Sequence, residues 1–204
     1  SKIADSTNLI LKDDNGLAIA VTEGMTIVPQ CGDSTWWLVI PKYIHQTTSQ
    51  IGFHLIEITE NGLHYNKEVL FSNMRNDYAA MVEFSPNGNL FSYERDLFTF
   101  CRETGDITIL KKDTTNEFVY GVSFSPDSKL LYKFVGPVED RPMGLKLYQM
   151  NPFAANINAS KQTIYRGSLF RTMQAGPDDK IYLSNSNQAF LSVINKPNER
   201  IGSG

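Results

Sequence analysis

Apolar and polar residues alternate along most of the chain, which is the spacing of half-buried β-strands rather than of amphipathic helices. One turn pattern recurs: an apolar stretch ends at Ser-Pro or Gly-Pro, passes through Asp or Asn, and resumes as an apolar stretch. The three copies lie at residues 84–91, 124–132 and 175–182. Proline fixes φ at the first corner of the turn, and Asn, Asp or Gly tolerates the second. Each copy therefore predicts a hairpin between two adjacent strands.

The spacing of these turns predicts the architecture. Pro86 and Pro126 are 40 residues apart, and Pro126 and Pro177 are 51 residues apart. Such a period is typical of propeller blades rather than of helical solenoids. We therefore predict an all-β fold, a β-propeller with about four visible four-stranded blades. Residues 1–204 would form a single propeller domain or a propeller fragment, with units near 24–71, 72–113, 118–166 and 169–195.

The ends of the repeat leave two arrangements open. The fourth unit lacks an outer strand, and a propeller must close its ring or leave an exposed edge. Residues 8–11 could supply that strand and close a four-bladed ring. Alternatively, the chain is half of a larger propeller, whose open flanks would favour a homodimer. Residues 17–22 are expected to form a further short strand.

The Trp36-Trp37 pair occupies the second strand of the first unit. Neighbouring residues of a strand point to opposite faces of the sheet. One of the two indole rings is therefore expected to lie between blades.

Composition excludes several classes of function. The 204 residues are 41% hydrophobic and 20% charged, which is ordinary for a globular domain. A net charge of −3 without a basic stripe argues against nucleic-acid binding. No apolar run approaches the roughly 20 residues of a membrane helix, so membrane insertion is not expected. Cys31 and Cys101 are expected to be free, buried thiols, too few for a zinc site or a disulfide scaffold.

Five segments carry a further pattern, spread over about residues 26–198: residues 36–39, 120–132, 147–150, 174–183 and 191–198. Together they resemble a family of secreted propeller-like proteins common in Bacteroidetes. Many members of that family carry a gliding-motility-associated, type IX secretion sorting domain. The resemblance implies the second half of the family's propeller-like region, in a secreted or outer membrane-associated protein of the cell surface. It implies no catalytic activity.

Polar side chains in the turns and hairpins have structural explanations. Asn87, Asp127 and Asp178 are predicted to cap backbone N–H groups of the repeated turn. His54 and His64 flank a hairpin turn and are predicted to pair across the strands at the surface. No His, Asp or Glu set at ligand spacing accompanies the two histidines, so neither a metal nor a cofactor is expected.

The candidate binding surface lies in the loops that enter the innermost strands. These loops should converge on one mouth of the central channel, and they combine aromatic with charged residues, as binding surfaces do. We name six of their residues the mouth set: Arg75, Asp77, Tyr78, Glu117, Tyr120 and Arg171. The competing interpretation is that the aromatic rings pack between blades while the charges only solvate the rim.

Two functions follow from this surface. The leading hypothesis is a non-enzymatic binding or scaffold module of a secreted or cell-surface protein, with a protein or glycan partner. The alternative is a glycan-active hydrolase or lyase that uses acidic residues at the channel rim. Such chemistry needs two carboxylates about 5–9.5 Å apart, and Asp77 with Glu117 is the pair that the sequence offers.

Overall fold

Every secondary-structure element named in the described part of the chain is a β-strand. The computed structural model describes residues 11–22, 24–32, 34–44, 49–74, 81–113, 117–137, 144–185 and 188–201. Their strands are β1 (Thr26–Pro29), β2 (Trp36–Pro41), β3 (Gln50–Thr59), β4 (Gly62–Ser72), β5 (Val82–Phe84), β6 (Leu90–Tyr93), β7 (Asp96–Cys101), β8 (Asp106–Lys111), β9 (Glu117–Phe124), β10 (Leu131–Pro137), β11 (Gly144–Met150), β12 (Gln162–Ala175), β13 (Ile181–Asn185) and β14 (Ser192–Ile194).

The strands form antiparallel sheets in chain order, arranged as the blades of a β-propeller. Blade one is β1–β4 and blade two is β5–β8, while β9–β14 form one six-stranded sheet. In that sheet, β9–β11 and the first part of β12 are blade three, and the last part of β12 with β13 and β14 is blade four. The innermost strands β1, β5, β9 and β12 contact one another in that order. The prediction of an all-β propeller is confirmed.

Strand β12 belongs to two blades at once. Its first part, including Gln162 and Arg166, pairs with β11 of blade three, and its last part pairs with β13 of blade four. The units predicted near 118–166 and 169–195 place these parts in separate strands. They are continuous because no proline or turn sequence interrupts Gln162–Ala175. Register shifts occur in the pairing of β12 with each partner, where the strand passes from β11 to β13. Blade four, as described, has three strands, β12–β14.

The segment before β1 is not the expected strand. Residues 17–22 take part only in isolated bridges, Lys12 with Ala18 and Val21 with Lys42. A tight hairpin forms instead, because the Asp13 carboxylate accepts hydrogen bonds from the backbone N–H groups of Asn15 and Leu17, each at 2.9 Å. Residues 11–21, which we call the N-terminal hairpin, lie on blade one.

Leu11 shows where this hairpin packs. It is the described end of the segment proposed to complete blade four, whose residues 8–10 lie outside the described residues. Leu11 instead contacts an apolar cluster on blade one, together with Ile19. The alternative in which residues 8–11 supply the outer strand of blade four stays a prediction.

The largest apolar core lies between blades one and two. Phe53 of β3 meets Phe91 of β6 edge to face, with ring centroids 5.2 Å apart. Trp37 is only 2% exposed and packs edge-on against Phe100 of β7, whereas Trp36 is 41% exposed. The prediction that one ring of the tryptophan pair lies between blades is confirmed.

The repeated turns are held by their own side chains. In blade two, Asn87 Oδ1 accepts from the Asn89 N–H at 3.1 Å, and in blade three Asp127 Oδ1 accepts from the Lys129 N–H at 3.1 Å. The capping role predicted for Asn87 and Asp127 is confirmed. Asp178 differs, because its carboxylate accepts from the Lys180 ammonium and the Tyr182 hydroxyl. That turn is one residue shorter, closing from the Gly176 N–H to the Lys180 carbonyl.

Candidate functional site

The mouth set is described only in part. Arg75, Asp77 and Tyr78 lie outside the described residues. Tyr120 is a residue of β9 and Arg171 is a residue of β12, and this strand position is all that the structure describes of them. Convergence of the mouth set on one face stays a prediction, and so does the Asp77–Glu117 pair.

Glu117, the first residue of β9, has a described side chain with both carboxylate oxygens bound. The Tyr148 hydroxyl donates to Oε1 at 3.0 Å, and the Lys161 ammonium donates to Oε2 at 2.5 Å. Lys146 Nζ lies 3.8 Å from Oε1. The partners come from β11 and from the residue just before β12, so the carboxylate reaches along blade three toward its outer strands.

The same residues form a compact electrostatic unit. Lys161 Nζ lies 3.9 Å from the centroid of the Tyr148 ring, a cation–π contact, while it pairs with Glu117. Burial, followed by the hydrogen bond to Glu117 and its charge, raises the pKa of Tyr148 to about 12. Tyr148 therefore stays protonated and donates to Glu117 at neutral pH. This arrangement joins β9, β11 and the residue just before β12, and it leaves neither oxygen of Glu117 without a donor.

A second polar cluster, which we call the polar joint, lies between blades two and three: Arg95, Asp96, Asp113 and Lys133. Lys133 of β10 donates to the Arg95 carbonyl oxygen at 2.6 Å, and Asp96 Oδ1 accepts from the Asp113 N–H at 2.8 Å. Burial lowers the pKa of Lys133 to about 8 and raises the pKa of Asp96. Arg95, Asp96 and Lys133 are buried, and the Lys133 bond to Arg95 crosses from blade three to blade two, so the joint serves packing.

Glu83 on the inner strand β5 is a third titratable group that sequence reasoning missed. Its cross-strand partner is Ser92, which is fully buried. Burial raises the pKa of Glu83 to about 7. A carboxyl group that titrates near neutral pH is a recurrent feature of functional sites, but structural positions also produce it. The sequence carries one sign of this group, because Glu83 stands between two apolar residues, Val82 and Phe84.

The serines of the repeated turns have structural roles. The Ser85 hydroxyl accepts from the Leu90 N–H at 3.1 Å and donates to Asn87 Oδ1 at 2.8 Å. The Ser125 hydroxyl makes the corresponding bonds to the Leu130 N–H and to Asp127, at 2.8 and 2.7 Å. Each serine closes its own hairpin.

The two histidines do not pair with each other. The two-residue turn after Thr59 places His64 opposite Glu57, and a register shift places His54 opposite Glu68. His54 is buried, with Nδ1 3.2 Å from the Tyr65 hydroxyl and Nε2 3.3 Å from the Ala20 carbonyl oxygen. Burial lowers the pKa of His54. The expected surface pair is wrong because strand register separates the two rings.

The cysteines are free, as expected, but both are exposed rather than buried. Cys31 lies in the connection between β1 and β2, and Cys101 is the last residue of β7, where the strand leaves the core. Hydrogen bonds from the side chain and backbone of Thr104 lower the pKa of Cys101. The expectation of burial is wrong because Cys31 lies in a connection and Cys101 lies at the end of a strand.

The described residues contain no group of three or more His, Cys, Asp or Glu side chains that could hold a metal ion. No helix within the same residues is long and apolar enough to cross a membrane.

Comparison with solved structures supports the fold class. A putative 6-phosphogluconolactonase from Bacteroides fragilis superposes with a TM-score of 0.50 at 14% identity, covering 82% of this chain and 55% of that protein. The WD40 repeats of RRP9 give a TM-score of 0.49 at 9% identity, covering 89% and 50%. An ancestral GH74 enzyme gives a TM-score of 0.46 at 13% identity, covering 85% and 31%.

The first of these likenesses supports the fold alone, and the strand arrangement makes the chain a β-propeller. The chain spans about half the length of the first two solved proteins. No protein-family model and no curated protein sequence matches the chain. The propeller fold hosts many unrelated activities, so function must be argued from the site itself.

Proposed function

We propose that the protein is a non-enzymatic binding or scaffold module of a secreted or cell-surface bacterial protein. The observation that carries this proposal is the state of Glu117, whose two carboxylate oxygens are bound by Tyr148 and Lys161. A carboxylate held in this way joins the strands of blade three and is poorly placed to transfer a proton to a substrate. The secreted or outer membrane-associated location rests on the sequence resemblance described above.

The partner that we propose is a protein or a glycan, bound at the mouth of the channel. Arginine and tyrosine of the mouth set can contribute more to binding than the solvated carboxylates of the repeated turns. The net charge of −3 speaks against nucleic acid as the partner. The proposal includes self-association through an open flank of the propeller.

A glycan and peptide array tests the proposed mouth. The wild-type chain should bind a defined subset of probes, and the Arg75→Ala/Arg171→Ala variant should lose them. The matched control is Lys129→Ala/Lys196→Ala, which also removes two positive charges, from side chains that are 76% and 73% exposed. Equal binding by wild type and the arginine variant would remove Arg75 and Arg171 from the proposed surface.

The glycan-active enzyme remains the alternative, and it makes a different prediction. Its acid–base pair would be Asp77 with Glu117, so breaking the Lys161 contact should release Glu117 and raise turnover of a glycan substrate. Under the binding hypothesis, Lys161→Met lowers the stability of blade three and produces no turnover. Product analysis of a glycan mixture incubated with wild type and Lys161→Met separates the two.

A further inference from the structure

The chain after β14 crosses from blade four back to blade three. The Tyr132 hydroxyl of β10 donates to the Pro197 carbonyl oxygen at 2.8 Å. Gln149 of β11 donates from Nε2 to the Glu199 carbonyl oxygen, also at 2.8 Å. We call residues 197–201 the strap. It fastens the chain that leaves blade four to the strands of blade three.

Gln149 binds the strap as a neighbouring strand would. Its Oε1 accepts from the Ile201 N–H at 3.0 Å while its Nε2 donates to Glu199, so one side-chain amide bonds the main chain on both sides of Arg200. In a β-sheet, a residue bonds the next strand in this way with its own N–H and C=O groups. These two bonds join main-chain atoms of the strap, so they do not depend on the side chains that the bound segment carries.

The groove that holds the strap is built from buried polar side chains. Tyr132 is fully buried and Gln149 is 2% exposed, and Gln149 Nε2 lies 2.8 Å from the Tyr132 hydroxyl. Gln149 stands between two buried residues of β11, Tyr148 and Met150. Buried polar groups are costly unless they are hydrogen-bonded. Tyr132 and Gln149 therefore need an occupant of the groove that supplies main-chain donors and acceptors.

Side chains of the strap are recognised as well. Asn198 Oδ1 accepts from the Asp127 N–H at 3.1 Å, and the Arg200 guanidinium donates to the Ser160 carbonyl oxygen at 3.1 Å. Pro197 is buried. The groove thus selects a proline, an acceptor side chain directly after it, and a basic side chain two positions further on.

Little apolar burial holds the strap in place. The side chains of Lys196 and Glu199 are 73% and 64% exposed, and Ile201 is 51% exposed. Segments with few buried apolar contacts open at a low cost in free energy. Exchange of straps between two copies of this chain would only reform the bonds that each copy already makes, at an added entropy cost of association. A different protein can add contacts of its own beyond the groove.

We propose that this groove of blade three binds an extended segment of a partner protein, a Pro-Asn sequence with a basic residue two positions after the asparagine, and that the strap competes with it. The site is separate from the mouth set, because Glu117 begins β9 and Asp127 lies in the turn after that strand ends. A segment tethered by a short connection has an effective concentration of about 1 mM or more. The partner segment therefore binds most tightly when the strap is weakened.

Fluorescence anisotropy with a labelled synthetic peptide tests the groove on the full chain. The probe is Asn-Lys-Pro-Asn-Glu-Arg-Ile, the sequence of residues 195–201. Asn198→Ala/Ile201→Pro removes the acceptor for Asp127 and the N–H that bonds Gln149, since proline has no N–H. This strap variant should bind the probe about tenfold more tightly than wild type does, because its tethered competitor is weakened. Ile201→Pro alone replaces it if the double variant fails to fold by circular dichroism.

The controls separate the groove from the rest of the surface. Gln149→Met, added to the strap variant, keeps a side chain of similar size without the amide and should weaken probe binding by about tenfold. Lys196→Ala, at an exposed side chain next to the strap, should bind the probe as wild type does. A probe with alanine in place of its proline and second asparagine should not bind the strap variant.

Three results would overturn the inference: no probe binding to the strap variant, equal binding by the strap variant and wild type, or binding that Gln149→Met leaves unchanged. Arg75→Ala/Arg171→Ala, added to the strap variant, should leave probe affinity unchanged, and a loss there would move the probe to the mouth and also overturn the groove. Probe binding without array binding contradicts only the proposed mouth. Array binding without probe binding contradicts only the groove.

Discussion

The indole Nε1 of Trp37 donates a hydrogen bond of 2.9 Å to the backbone carbonyl oxygen of Arg102, which links β2 of blade one to the turn after β7 of blade two. The ring fills the space between the blades, and a Cβ placed on Gly105 would lie 3.0 Å from it. Trp37 thus stabilises the contact between the blades both by apolar packing and by the hydrogen bond of its indole N–H. This residue couples the first two blades.

Truncation of the two tryptophans should have unequal effects on the free energy of unfolding. Trp37→Ala leaves a cavity in the core between blades and should cost about 3–5 kcal/mol. Trp36→Ala removes a half-exposed ring and should cost less than about 1 kcal/mol. Urea unfolding of the two variants provides the comparison, at a concentration where both are monomeric. Equal losses would contradict the placement of Trp37 between the blades.

The stability of the repeated turn should depend more on its buried serine than on its exposed residues. Ser125→Ala leaves the buried N–H group of Leu130 without the hydroxyl that it meets at 2.8 Å. A buried group left unpaired costs about 1–3 kcal/mol. Ser34→Ala, at an exposed position in the β1–β2 connection, is the control and should change stability by less than about 0.5 kcal/mol. A Ser125→Ala variant as stable as this control would show that the hydroxyl is dispensable.

Glu83 should make stability fall as pH rises toward neutrality. Its pKa is about 7 in the folded protein against 4.5 for the exposed group, so the folded state binds more protons between these values. The contribution is fully present below pH 4.5 and is lost as pH rises through 7. Glu83→Gln cannot ionise and should be more stable than wild type at pH 8 by up to about 3 kcal/mol.

The measurement for Glu83 is the urea midpoint of wild type and Glu83→Gln at pH 4.5 and pH 8. The difference between the two proteins should be small at the lower pH and large at the higher one. Other titrating groups affect both proteins alike, so the difference reports on Glu83. A constant difference across this range would mean that Glu83 ionises normally in the folded protein.

Local sequence signals predicted the fold well. The Ser-Pro-Asp turns, with Asn87 and Asp127 as caps, and the alternation at Trp36-Trp37 depend on neighbours within a few residues, and the structure contains them. Continuity of β12 was not predictable from the repeat, because it depends on a strand exchanging one partner for another along its length. The partners of His54 and His64 depend on the pairing register of β3 and β4. That register shifts by one residue beside Ile56, and nothing in the sequence marks the shift.

The candidate site was harder to predict for a physical reason. Lys161, which binds Glu117, lies 44 positions later in the chain and beyond the connection that follows β11. The lysine of the polar joint, Lys133, occupies an alternating strand position that usually holds an apolar residue. Both partnerships depend on how blades pack in space. The sequence singled out Glu117 but neither its partner Lys161 nor the buried Lys133.

The central claim is that the polar residues of this propeller join blades and bind ligands and do not catalyse a reaction. Incubation of a glycan mixture with the wild-type protein tests this claim most directly. Mass spectrometry of the bound and unbound fractions would follow every chain length. The binding account predicts that retained glycans are recovered intact, with the same composition after Glu117→Gln. Shortened or unsaturated products that form with wild type and disappear with Glu117→Gln would contradict it.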